Sequence, residues 1–434
     1  MRKLILLSLI LVLTVSMVGI SSAQDMSGVD PSGQTVVYWH QYNSGAQLET
    51  MTALVADFNA NNEWGITVEA LAQGSVDEIR ELMNGAIISG ELPNLVAGFL
   101  NDAFSYHQDE AVIDINPYYT DPTWGFTEEE LANLNTSILD SFLIGETGER
   151  LGLPNQVSAN VLVVNTGMLA DLGFDGPPET FEAWMEVACA AAAAGGDNKG
   201  YPIKGGASDF ESYLAGMGGN LFHDGAWDFT SEAAVAVLQM YHDVYANDCA
   251  YVPDSAFGNT DDFALGLNPM GETSTAGIPF IISGMAEAGY ETEWVVTTTP
   301  WTEGNRAIQP FISAILMGAS TPEAELASWL FLKYFLTTGS QVTWTLATSY
   351  FPINLEAAAS LGDFETTNPF FAQANALISD PDINIYLSPQ TLAYGSIRPL
   401  IQQAVADVTS NGRDVMEVAT ELEEAANAVQ ADLE

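Results

Sequence analysis

Between residues 36 and 100 the chain alternates between two hydrophobic periods, and this limits the possible folds more than any other feature. Residues 36–39 (VVYW) are β-branched or aromatic, as in a buried strand. Leu48, Met51, Leu54, Val55 and Phe58 then fall on one face of a helix. Residues 66–71 read as a second strand. Ile79, Leu82, Met83, Ala86 and Ile87 mark a second helix, and residues 94–100 a third strand. Strands alternating with amphipathic helices predict a parallel sheet with helices on its faces. The first strand does not end in a plain turn. It runs into Trp39, His40, Gln41, Tyr42, Asn43, Ser44 and Gly45, aromatics and uncharged hydrogen-bonding groups.

The rest of the chain continues in the same style. An apolar run covers 161–164. Thr180 can cap a helix that carries Trp184 and Cys189 and stops at Gly195-Gly196. Ser231 can cap another, with Val235, Leu238, Tyr241 and Tyr245 on one face. Thr321 followed by Pro322 opens a helix in the favoured way. A final helix carries Val415, Val418, Leu422, Ala425 and Val429. These apolar stripes are read as core. With 434 residues the chain is long for one domain, so two or three are expected.

Arg2 and Lys3, an apolar run over 4–20 and the small residues Ser21-Ser22-Ala23 read as a secretory signal at 1–23. Export is therefore expected, to a periplasm or beyond, and with no Cys near the cleavage site no lipid anchor is expected. Residues 24–34 read as a flexible leader. Acidic residues number 57 against 10 basic, a formal charge of -47, which disfavours nucleic acid as a partner. Cys189 and Cys249 are the only cysteines, and export permits a disulfide between them or leaves two buried thiols. No HExxH pair, zinc-spaced Cys/His cluster, Walker-type loop or GxSxG elbow occurs, so neither a metal nor a cofactor is expected, and an enzyme is poorly supported.

Several patterns then occur in a telling order. GLPNQVSANVLVVN (152–165) is followed by TGMLADLGFDGPPETFEAW (166–184), GGNLFHDGAWDFTSEAAVAVLQMYHDVY (218–245), MGETSTAGIPF (270–280) and SYFPI (349–353). This order resembles the extracellular solute-binding proteins of ABC importers, in the group holding the maltose- and glycerol-3-phosphate-binding proteins. The resemblance runs from about Thr35 to the C-terminus. It implies an α/β, two-lobed periplasmic-binding-protein fold of type II, with crossing hinge strands and a ligand cleft between the lobes. On that pattern the first lobe holds 35–145 plus 293–352 and the second holds 146–292 plus 353–434.

In open α/β sheets ligands bind beyond the carboxyl ends of strands. Trp39, Gln41, Tyr42 and Asn43 should therefore line the cleft. Sugar C–H faces pack on rings, and sugar hydroxyls need partners once desolvated. The resemblance adds Asn155 and Ser158 after Gly-Leu-Pro, Tyr350 in SYFPI, and Arg398 in GSIRPL; Ser274 and Thr275 lie in STAG, a small-residue turn that either lets backbone approach a ligand or is simply tight, and Trp301 either stacks on ligand or sits in a core. Arg398 aligns with an arginine near the ligand of the glycerol-3-phosphate binder, and a guanidinium suits phosphate, carboxylate or paired hydroxyls. A salt bridge to one of the many carboxylates is the alternative. Trp344 is read as core. The chain departs from the glycerol-3-phosphate binder at Gly74-Ser75-Val76, at Leu100-Asn101 and at Pro310-Phe311, so that ligand does not carry over.

The expected function is the substrate-binding component of an ABC transporter, a monomer that captures a sugar or polyol and delivers it to the permease subunits. Glycerol-3-phosphate or a glycerophosphodiester is the second choice of ligand. A secreted glycoside hydrolase working with two carboxylates and a surface adhesion protein are alternatives from other classes.

Overall fold

A computed structural model describes residue 26 and residues 28–144, 147–255 and 257–433. The signal segment at 1–23 lies outside these. Eight strands form one sheet: β1 (Thr35–His40), β2 (Thr67–Ala72), β3 (Leu95–Gly98), β4 (Leu153–Val164), β5 (Met270–Ser274), β6 (Val295–Thr297), β7 (Ala307–Met317) and β8 (Asn384–Ile385). Their order is β6-β4-β7-β3-β1-β2, with β5 on β4 and β8 on β7. β1 lies parallel to both β2 and β3, as the alternating periods predict. The crossover helices Gly45–Asn61 and Val76–Ser89 supply the covering layer, burying Met51, Leu54, Val55 and Phe58 from the first and Ile79, Met83 and Ala86 from the second. The second helix opens with a reciprocal cap between Ser75 and Glu78 and ends at Gly90 in the left-handed region, which glycine adopts without strain. Leu82, expected on the buried face, is exposed.

β4 and β7 are long and join two lobes. At one end β7 pairs with β3, through Ala314–Gly98 to Met317–Leu95. At the other end β4 pairs with β5 and β6. The two strands run antiparallel to each other, from Ile315 opposite Leu153 to Gln309 opposite Asn160. A third segment lies beside them. Val157 and Phe351 exchange backbone hydrogen bonds of 3.1 and 2.8 Å, and Val157 also faces Ile312. Every residue of β4 is buried, so it has no polar face to mark it as a strand, and its polar members Asn155, Gln156, Ser158 and Asn160 sit inside the protein.

The first core gathers Tyr38, Phe58, Trp329, Phe331 and Trp344 and continues along the crossing strands as far as Trp294. The second lobe has its own core around Trp184, Phe210, Tyr213, Trp227 and Tyr241, closed by the helices Tyr394–Val408 and Val415–Leu433. Cys189, on the helix Phe181–Ala194, is bonded to Cys249, which tightens this lobe. The described part of the leader is held rather than free. Met26 is buried in the first core, and the Gly33 N–H donates to the Trp64 carbonyl at 3.0 Å.

Candidate functional site

The carboxyl ends of β1, β2 and β3 face the second lobe, and the lobes approach at two places. Gly45, with φ +58°, lies so close to Phe280 that a Cβ there would come within 3.3 Å of the ring. Gly395, at the start of the helix Tyr394–Val408, packs against Asn101, where a Cβ would meet Nδ2 at 3.1 Å. A cavity of about 120 Å³ opens at the first place, lined by Gly45, Ala46 and Gln47 from one lobe and Ala276, Pro279 and Phe280 from the other. A larger hollow of about 510 Å³, lined by Leu54, Asp57, Tyr334 and Ser340, belongs to the first lobe alone and is remote from the strand ends.

One end of the interlobe seam is aromatic and amide-rich. Tyr42 packs edge-on against Trp344 at 4.7 Å, and Tyr350 stacks on Trp344 at 6.0 Å. Trp344 is buried, as expected of core, and donates from Nε1 to Gln156 Oε1 at 2.6 Å. The Tyr42 hydroxyl is buried near Asn155 and Gln156, and burial raises its pKa. Burial likewise pushes the Tyr350 hydroxyl up to about 12. His40 lies beneath them. Burial lowers its pKa to about 4, so the ring is neutral and Nδ1 accepts the Tyr42 N–H at 3.2 Å. Ser349, before Tyr350, is held at φ +58°, a strained region for a residue with a Cβ. Asn43 Oδ1 accepts the Gly74 N–H at 3.0 Å and ties the β1 and β2 loops together. Two polar atoms here are buried without a hydrogen-bond partner, Gln41 Oε1 and Asn155 Nδ2. Such atoms cost free energy unless something meets them.

The other end holds Arg398. It donates from Nη1 to the Tyr394 hydroxyl at 3.0 Å and to Ser208 Oγ at 3.3 Å. It takes part in none of the ion pairs among the described residues, so the salt-bridge alternative finds no partner carboxylate within 4.0 Å. Burial opposes its charge, but Tyr394, Glu211 and Asp77 raise its pKa above the usual arginine value. Asp77 belongs to the opposite lobe, which places Arg398 at the seam. Glu211 is wholly buried, and its Oε2 accepts from Gln309 Nε2 at 2.6 Å and Ser388 Oγ at 2.7 Å.

The other predicted residues are spread more widely. Thr275 Oγ1 accepts the Ala159 N–H at 3.2 Å and so anchors the STAG turn to β4, while Ser274 is half-buried opposite Asn160. Ser158 is buried opposite Phe311 between the crossing strands. Trp39 points to the face opposite Tyr38 and packs against a small third core with Ile79 and Met83. Trp301 stands apart from the rest. Its N–H donates to the Glu179 carbonyl, and its ring lies under the Arg306 guanidinium at 4.7 Å. The sequence reasoning missed Phe280, Glu211, Gln309, Ser388 and Asp77. Phe280 is three residues beyond the STAG turn and its exposure had no sequence signal. Glu211 and Asp77 were lost among 57 acidic residues.

A family model described as "Bacterial extracellular solute-binding protein" matches residues 53–374. Among solved structures, the UgpB protein of Mycobacterium tuberculosis, in complex with glycerophosphocholine, superposes with a TM-score of 0.78 at 15% identity, covering 92% of this chain and 99% of that one. A solute-binding protein from Thermotoga lettingae bound to α-D-tagatose gives 0.77 at 18%, covering 92% and 100%. MalE3 of T. maritima with maltose gives 0.76 at 18%, covering 91% and 99%. At these identities the likeness concerns the two-lobed fold. No curated protein matches the chain.

Proposed function

The chain belongs to the bacterial extracellular solute-binding proteins, and from that premise we propose that it captures a carbohydrate or polyol between its lobes and delivers it to the permease of an ABC importer. The observation that carries the ligand class is the pair of unpartnered buried atoms, Gln41 Oε1, next to Tyr42 in the chain, and Asn155 Nδ2, next to the Gln156 that holds Trp344 between Tyr42 and Tyr350. One accepts, the other donates, and neither is charged. Sugar hydroxyls meet both kinds of group while C–H faces pack on rings. The neighbours' ligands support this reading, since they include tagatose and maltose. Ser158, Ser274 and Thr275 line the seam in this reading, Trp39 supports it from behind, and Trp301 serves only a larger ligand.

Capture works by closure. We place the hinge where three segments lie side by side, at Val157, Ile312 and Phe351. This moves the first two lobe boundaries from 145/146 and 292/293 into β4 and β7 and keeps the third near 352/353. A ligand touching both lobes favours the closed state by its extra contacts there. The protein performs no covalent chemistry in this reading. The carboxylates at the seam are engaged in capping helices, in the ion pair of Asp77 with Arg80 or, for Glu211, in accepting two hydrogen bonds. Export as a monomer without nucleic acid partners completes the proposal.

A thermal-shift screen of residues 24–434 against mono- and oligosaccharides, polyols and glycerol phosphoesters tests it. A ligand at a hundredfold excess over its Kd adds roughly 2.7 kcal/mol of stability. Silence from every saccharide and polyol refutes the ligand class. A second reading, a glycerol phosphoester, is favoured by one observation, the lack of an ion-pair partner for Arg398.

A further inference from the structure

The helices that begin at the seam share one trait. A helix N-terminus attracts anions through its free N–H groups and aligned peptide dipoles. Here three such ends carry their own carboxylate. Glu78 Oε2 accepts the Ser75 N–H at 2.6 Å, and Asp102 Oδ2 accepts the Phe99 N–H at 2.9 Å, both in the first lobe. In the second lobe Asp209 Oδ2 accepts the Gly206 N–H at 3.1 Å. The positive ends of these helices are already neutralised.

Arg398 is left as the cation without an ion pair at the seam. Glu211 stands one helical turn from Ser208, whose Oγ accepts from Arg398 at 3.3 Å, and its charge and that of Asp77 across the seam act on the guanidinium. Burial raises the pKa of Glu211, the donors Ser388 and Gln309 on Oε2 and the Arg398 charge oppose that rise, and its buried Oε1 has no hydrogen-bond partner. Asp77 is also paired with Arg80 at 2.7 Å, and Arg80 pairs with Asp102 at 2.7 Å, so two positive charges stand against three negative ones. A guanidinium beside an acceptor oxygen matches a pair of hydroxyls, whereas an anion placed there meets Glu211 within the low-dielectric interior.

We propose that Glu211, together with Asp77 across the seam, sets the charge selectivity of the cleft, so that Arg398 serves as a donor to the hydroxyls of a neutral polyol and phosphate or carboxylate ligands are rejected. The proposal rests on the interlobe seam being the ligand site. It assigns Glu211 the part of specificity determinant and removes the phosphoester reading.

The test uses inorganic phosphate and glycerol-3-phosphate as probes, titrated calorimetrically into wild type, Glu211→Gln and Asp77→Asn at low ionic strength. The expected result is no measurable binding to wild type and a gain of at least about tenfold in Glu211→Gln, from removal of one nearby negative charge. Adding Arg398→Gln to that variant abolishes the gain. Asp77→Asn gives a smaller gain, because its side chain is 77% exposed and screened by water. That exposure also makes Asp77→Asn a variant that folds, so it carries the test should Glu211→Gln not. Phosphate binding by wild type that Arg398→Gln removes overturns the proposal, as does an unchanged affinity in both single variants. Neutral saccharides run on wild type in parallel report on the ligand class separately. If they are silent while the anions behave as stated, the carbohydrate reading fails and the charge rule holds.

Discussion

Opening the bond between Cys189 and Cys249 should loosen the second lobe and, with it, the seam. The bridge spans a sequence separation of 60 residues. Loop-closure entropy for that length gives roughly 4 kcal/mol at 25 °C, stabilisation that acts mainly by restricting the unfolded chain. The loop contains Ser208, Glu211 and Ser212, and Cys249 also fixes the strand beside it, where its carbonyl accepts the Tyr201 N–H at 2.8 Å. The perturbation is a Cys189→Ala/Cys249→Ala variant, with reduced wild type as an independent route to the same state. Thermal unfolding followed by circular dichroism should show a transition lowered by on the order of 10 °C, assigned to the second lobe. Thiol titration of the reduced sample confirms that the bond is open. Ligand-induced stabilisation should shrink as well, because the helix bearing Glu211 starts inside the loosened loop. The reasoning is refuted if fully reduced protein, with both thiols titrated, unfolds at the same temperature as the oxidised form.

Further outcomes follow from buried groups. Glu272 is buried among Asn160, Tyr201 and Asp209, and burial first, then the Asp209 charge, hold its pKa well above the usual carboxylate value. An acid with a raised folded pKa keeps its proton in the native state and loses it on unfolding, so stability is full below the unfolded pKa and falls as pH rises above it. Glu272→Gln should therefore match wild type near pH 4 and become more stable above it, by up to about 1.4 kcal/mol per pH unit, in denaturant titrations across that range. A constant difference at every pH counts against the assignment. Asn155→Ala removes an unpartnered Nδ2, so the free protein should change little while ligand affinity falls by about tenfold, measured by calorimetry with whichever saccharide the screen returns. An equal loss of stability with affinity intact would make Asn155 structural. Gly200→Ala places a Cβ 1.8 Å from the Cys249 carbonyl oxygen, backbone that cannot turn aside, and should destabilise the protein by about 1–3 kcal/mol in the same titrations.

Local patterns determine much of this molecule independently of its fold. The alternating periods of residues 36–100 specify strands and helices because an amphipathic segment must bury one face, and β1 to β3 with their crossover helices follow from that. Caps were legible for the same reason. Thr180, Ser231 and Thr321 each accept a backbone N–H three residues on, a short-range bond that needs no tertiary partner. The order of motifs was enough to indicate the two-lobed fold. Tertiary structure decided what depends on residues far apart in the chain. β4 has no alternation because both its faces are covered, so hydrophobic pattern marks only its apolar end, 161–164, and does not mark β7, which holds Pro310. The candidate site shows the same division. Gln41, Tyr42, Asn155 and Arg398 carry unusual chemistry for their places and were found. Glu211 looked like any of 57 acidic residues, and only packing set it, fully buried, beside Gln309 and Ser388 where its charge bears on Arg398. Charge on an exposed carboxylate is screened by water, whereas charge on a buried one acts on its neighbours, and burial is a property of the folded chain alone.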